Sequence, residues 1–377
     1  MKHTLKLLCL STLLSVMGFA GVQPLSVIVM EQQGLGPRQI GLLSALIFGG
    51  VLLLAPFQPA LAVRFGAMRT YQTGKIFAVA GFASCAAATT PWIWMIAFIL
   101  LGFAGALTWP LTDSLIATAA PADRKGAWLS LFQAGMGIAF AVGPFVSALF
   151  AMSPKPVFWG ASALAAVSSL PLFGGILPEP EPEANDDPSG LEVWRRAAML
   201  GMIAMLGGIF ENGTHTVGTL IALAQGWAAA PAVALAGVMA AGSFLIQRPL
   251  GVTADRRGIR GVLLWSLATL AVSLATLPLV GRWPGLLWLL GLIWGGSSGC
   301  LYTLAMTGTA QTFTGRQVAS ATTIMVLGYT VGSALGPVLG GLAVAVSPLG
   351  GVASVFGAMA VAGWTVAWMQ RPLRAKG

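Results

Sequence analysis

The chain has 377 residues, of which 56% are hydrophobic and 8% charged, with a mean hydropathy of +0.84. Soluble domains carry about a quarter charged residues, so a soluble globular protein is excluded. Apolar runs of about twenty residues exclude a barrel of alternating ten-residue strands as well, leaving an integral membrane protein built of spanning helices.

Lys2 and Lys6 before Leu7–Ala20 have the form of a secretory signal, with Gly18-Phe19-Ala20 as its cleavage site. The apolar stretch, however, continues through Pro24 to Met30, which is too long for a signal core. It therefore reads as the first spanning helix. Further spans are predicted at 40–62, 71–90, 92–118, 127–152 and 156–177, and then at 197–223, 229–252, 261–280, 284–311, 317–345 and 347–369. The fold class is all-α, with twelve transmembrane helices in two six-helix halves. Residues 1–177 form the first half, 178–196 a linker and 197–377 the second half.

With the N-terminus inside, seventeen Lys and Arg fall on the cytoplasmic side and only Arg38, Lys155 and Arg282 outside. The positive-inside rule then puts both termini in the cytoplasm of a bacterial-type inner membrane, and it accounts for the +9 charge without nucleic acid. Pro178–Gly190 is polar and proline-rich, with no apolar face to bury, and predicts a solvated tether. The 49 glycines predict close helix packing, because lipid supplies no hydrophobic force between helices. Cys9, Cys85 and Cys300 lie inside apolar runs without metal spacing, so neither a disulfide nor a metal is expected.

The halves repeat each other. Arg64-Phe65-Gly66 corresponds to Arg256-Arg257-Gly258 at an offset of 192, and Gly143-Pro144 to Gly336-Pro337 at 193. Gly21 and Gln23 likewise match Gly213 and His215. Such repeats place a substrate site at mid-membrane.

The stretch Gly251-Val252-Thr253-Ala254-Asp255-Arg256-Arg257-Gly258-Ile259-Arg260 resembles the G-x-x-x-D-R-x-G-x-R loop motif of the major facilitator superfamily. Leu301–Met306 and Tyr329–Pro337 are similar to the YcaD-like branch of bacterial carriers. This resemblance implies a secondary carrier working by alternating access, whose first, fourth, seventh and tenth spans line the cavity. It also implies a gating loop of Gly251, Asp255, Arg256, Arg257, Gly258 and Arg260, with Asp255 latched onto Gly126-Ala127, and helix bends at Gly143-Pro144 and Gly336-Pro337. Two departures stand out: Val63 replaces the acid in the first copy of the loop motif, and the antiporter glycine series is cut short after Gly143-Pro144. Both weaken the alternative of a drug/proton efflux antiporter. A transport-inactive receptor or scaffold of the same fold would tend to lose its buried acids, and this chain keeps them.

The decisive residue pair lies within 197–223. Glu211 falls near the middle of an apolar span, and His215 shares its helix face one turn on. Closing a cavity around a charged carboxylate is costly, and protonation removes that cost, so Glu211 with His215 is the expected proton-coupling pair. Asp113, with Trp109 one turn away, is the other membrane acid. Gln23, Gln133, Ser298, Tyr302 and Tyr329 complete the expected substrate cavity. Lys75 and Arg248 are taken as close enough to the membrane edge to snorkel, so a neutral or cationic small solute is favoured over an anionic one. No G-x-S-x-G, H-E-x-x-H or G-x-x-x-x-G-K pattern is present, so no enzyme activity and no cofactor are expected. The partners are a small-molecule substrate, protons and the lipid bilayer, with no nucleic acid and no obligate protein partner.

Overall fold

The computed structural model describes residues 2–119, 125–172, 191–314 and 316–369. Thirteen α-helices carry these residues, and no strand occurs among them. They are α1 (Lys2–Gln32), α2 (Pro37–Leu54), α3 (Gln58–Phe65), α4 (Ala67–Ala87), α5 (Pro91–Ala119), α6 (Lys125–Ala148), α7 (Lys155–Ser169), α8 (Leu191–Ala224), α9 (Ala229–Arg257), α10 (Ile259–Ala275), α11 (Leu286–Thr312), α12 (Arg316–Val346) and α13 (Gly350–Met369). A 3₁₀ turn at Ala55–Phe57, with Pro56 at its second position, interrupts one span into α2 and α3, so the described residues form twelve helical segments. Among the described residues, nine of these segments are long and apolar enough to cross a membrane on those grounds alone. Helix α7, at 15 residues, is too short to be among them.

Helix α8 starts six residues before the predicted span. Nothing between Leu191 and Ala197 breaks a helix, since Pro188 and Gly190 are the last breakers in the sequence. The predicted tether at 178–190 lies outside the described residues.

Two compact units emerge from the contacts. The first holds Met1–Gly34 and Leu46–Ala184. In it α1 packs on α6 and α7, and α4 packs on α5 and α7. The second holds Asn185–Gly377 together with Leu35–Ala45. There α8 packs on α12 and α11, α9 on α11, and α10 on α13.

The closest approaches follow the glycines, and they repeat between the units. In the second unit Gly328, Gly332, Gly336 and Gly340 recur every fourth residue of α12 and so form one stripe. Gly328 backs the Gly201 carbonyl, Gly332 that of Met205 and Gly336 that of Ile209. In the first unit Gly143 backs the Met17 carbonyl, and a Cβ added there would stand 3.0 Å from the Gly21 nitrogen. At the repeat-related Gly336 the same construction meets the Gly213 nitrogen at 2.9 Å. The duplicated loop turns match too, with Gly66 at φ 88° closing α3 and Gly258 at φ 85° closing α9. That backbone angle explains the glycine in the loop motif, because a Cβ disfavours it.

Candidate functional site

The α8–α12 seam creates a polar cluster in the second unit. Tyr329 and Ser333 each follow a seam glycine by one residue, so the close backbone approach carries them onto α8. The Tyr329 hydroxyl donates to Glu211 Oε2 at 3.0 Å and accepts from Asn212 Nδ2 at 3.1 Å. Asn212 Nδ2 also donates to Ser333 Oγ at 2.8 Å, and the Ser333 hydroxyl donates to the Tyr329 carbonyl at 2.8 Å. From α11, the Tyr302 ring lies 4.7 Å from that of Tyr329. Glu211 is half-buried, whereas Asn212 is 8% exposed. The phenol suits both charge states of the acid: it donates to a carboxylate and accepts from a carboxylic acid, so this contact survives loss or gain of a proton. The Thr214 hydroxyl donates to the Glu211 backbone carbonyl, anchoring the turn. His215 is buried one turn further on, and its carbonyl accepts from Thr219 at 3.0 Å.

Of the other expected cavity residues, Ser298 is buried and donates to the Gly295 carbonyl of its own helix at 3.2 Å. In the first unit Asp113 is exposed, with Gln133 of α6 donating to its Oδ1 at 3.5 Å, the outer limit of such a bond. Gln23 is 3% exposed, with neither amide atom hydrogen-bonded. Asn212 and Ser333 are members of the cluster that sequence reasoning passed over. The available signal was the four-residue spacing of Tyr329 and Ser333 beside the seam glycines.

In the loop motif, Arg260 donates through Nε to the Ala367 carbonyl at 3.2 Å and through Nη2 to that of Trp368. A cation is thus set on the last carbonyls of α13, where the helix dipole favours it. The side chains of Asp255 and Arg257, and that of Ala127, lie outside the described residues, so the expected latch falls there too.

A family model described as the Major Facilitator Superfamily matches residues 8–247. The chain belongs to the Major Facilitator Superfamily. It is 24% identical over 339 residues to the MFS-type transporter YfkF of Bacillus subtilis (strain 168), covering 87% of this chain and 86% of the relative. To the MFS-type transporter YcaD of Salmonella arizonae it is 25% identical over 339 residues, covering 88% and 86%. The solved nucleoside transporter NupG superposes with a TM-score of 0.79 at 16% identity, over 98% of this chain and 100% of the other. A bacterial homologue of the human lysosomal transporter Spinster gives 0.73 at 14%, over 97% and 96%. These two establish likeness of fold.

Within this superfamily member the first unit holds a group that the sequence had misplaced. Lys75 does not snorkel. It is 2% exposed, eight residues into α4, and its ammonium donates to the Ser11 carbonyl at 3.1 Å, to Ser15 Oγ and to Ser168 Oγ at 3.3 Å. The reason is geometric: Gly74 and Gly81 draw α4 against α5, while α1 and α7 offer serine oxygens within reach of a four-carbon stem. A lysine at membrane depth costs about 2.5–3.5 kcal/mol on insertion scales. Hydrogen bonds to a charged group return about 1.5–3 kcal/mol each, so three neutral oxygens suffice to hold it there. Trp109 belongs to the same neighbourhood: Lys75, Tyr71, Thr12, Ser15, Phe19 and Trp109 all line one recess.

Proposed function

We propose that this transporter is a secondary carrier that moves a small organic solute by alternating access and that Glu211 carries its coupling proton. The carrying observation is the Glu211–Tyr329 contact of 3.0 Å, in which a mid-helix acid is paired with a hydroxyl able to serve either protonation state. Asn212 and Ser333 hold that hydroxyl in place, and His215 one turn away is the second proton carrier in this reading. Protonation removes the cost of enclosing Glu211, so a proton or a cationic solute at this site permits the switch between facing states. Tyr302, Tyr329 and Asn212 supply the polar and aromatic surface that an uncharged or cationic solute would meet on this unit. The positive-inside distribution supports a plasma-membrane location with both termini cytoplasmic.

The test replaces Glu211 by Gln, a fixed mimic of the protonated acid. A substrate is first identified by thermal shift of the purified protein against metabolites and drugs. In proteoliposomes, Glu211→Gln is expected to keep substrate exchange and to lose accumulation driven by a pH gradient. Undiminished pH-driven accumulation by the variant would remove Glu211 from the coupling role.

A further inference from the structure

Lys75 is a buried cation that the Glu211 reading leaves without a task. Its three acceptors are neutral oxygens, and no carboxylate of a described residue bonds it. One of these bonds, to Ser168, is long at 3.3 Å, and the Ser168 hydroxyl itself donates to the Ala165 carbonyl at 3.2 Å. Beside the ammonium, the recess is lined by Thr12, Tyr71 and Thr108, whose hydroxyls are held by the Leu8 carbonyl, by each other and by the Ala104 carbonyl, and by the rings of Phe19 and Trp109, which meet edge to face at 5.7 Å. Its free space is about 30 Å³. A site needs roughly 10–15 Å³ of such space to take a water molecule, so this one has room for a small polar head such as a carboxylate, with the ligand's body left outside. The offset of 192 carries Lys75 onto Leu267, which is buried and apolar, so the second repeat folds without a cation at this place.

We propose that this recess is a binding site for the carboxylate of a small organic acid, with Lys75 as its counter-ion. The oxyanion replaces the long Ser168 contact and gives the ammonium the negative partner it lacks, with Phe19 and Trp109 among the walls around it. The site lies wholly in the first unit and is independent of proton coupling at Glu211.

The probe is benzoate, compared with benzamide as its uncharged counterpart, added to the purified full chain in non-ionic detergent with no proton gradient imposed. Benzoate is expected to raise the melting midpoint saturably and to quench tryptophan fluorescence, and benzamide to do neither. Lys75→Met, which keeps the apolar stem and deletes the charge, should weaken apparent benzoate affinity tenfold or more, and Lys75→Arg should retain part of it. Equal responses to benzoate and benzamide, or unchanged benzoate affinity in Lys75→Met, would overturn the proposal and leave Lys75 as a tie between α1, α4 and α7. Should Lys75→Met not fold, Trp109→Phe decides. The benzoate-dependent quench disappears in that variant if the recess is the site, and its full persistence places benzoate elsewhere.

Discussion

Gly332→Ala tests whether the α8–α12 seam is what delivers Tyr329 to Glu211. An alanine Cβ at that position would stand 2.8 Å from the Met205 carbonyl carbon and 3.0 Å from its Cα. Carbon atoms rest at about 3.5–4.0 Å, so relieving the 2.8 Å contact parts the two helices by roughly 0.7–1.2 Å. The obstacle is backbone, which cannot rotate aside as a side chain would. Tyr329 lies three residues from Gly332, and the same retreat stretches its 3.0 Å contact with Glu211 to a length at which a hydrogen bond no longer forms. Overpacking of this kind costs about 1–3 kcal/mol, and a bond to an ionised acid is worth about 1.5–3 kcal/mol. The assay is the melting midpoint of the purified chain, with Gly49→Ala as reference because a Cβ there meets nothing within 4 Å. Difference infrared spectroscopy of the Glu211 carboxyl band reports the hydrogen bond directly. A Gly332→Ala protein that melts with the Gly49→Ala reference and keeps its carboxyl band would refute the seam argument.

The other expectations concern single contacts. Tyr329→Phe keeps the ring on Tyr302 but removes the hydroxyl from Glu211 and Asn212; a double-mutant cycle with Glu211→Gln should give a coupling of about 0.5–3 kcal/mol in melting stability, and strict additivity would show the phenol to be idle. Arg260→Ala removes the cation from the last carbonyls of α13, so amide exchange over residues 360–369 should accelerate, with Arg260→Lys restoring only part of the protection; unchanged exchange would make the contact incidental. Gly258→Ala forces a side chain onto φ 85° and should cost about 1–3 kcal/mol, whereas Gly261→Ala, in open space within α10, should be neutral or slightly stabilising; equal melting of the two would contradict the backbone reading of the motif.

Much of the architecture was legible because membrane helices announce themselves by length and hydropathy, and because Gly143-Pro144 and Gly336-Pro337 mark corresponding turns of two repeats. Glu211 was legible as well, since an acid in the middle of an apolar run is conspicuous. Lys75 was misjudged for a physical reason: distance along the chain from the helix end allowed its stem to reach water, but the serines that capture its ammonium come from α1 and α7, at positions 11, 15 and 168. Nothing in the local sequence of α4 signals those partners. Asn212 and Ser333 were hidden for the same cause, because small polar residues acquire meaning only once the glycine stripe has fixed which faces of α8 and α12 meet.

The repeated seam separates what the fold must keep from what it is free to vary. By the repeat offsets, Glu211 and Asn212 correspond to Phe19 and Ala20, and Tyr329 and Ser333 to Met136 and Phe140, where Phe19 and Phe140 meet edge to face at 6.5 Å. The seam itself differs at this point: Gly332 corresponds to Ala139, so the first copy carries a Cβ where the second sets backbone against backbone, and an aromatic pair fills the place of the ionisable constellation. The side chains are therefore not separable from the glycine that seats them: writing Phe19→Glu, Ala20→Asn, Met136→Tyr and Phe140→Ser into the first copy would also require Ala139→Gly.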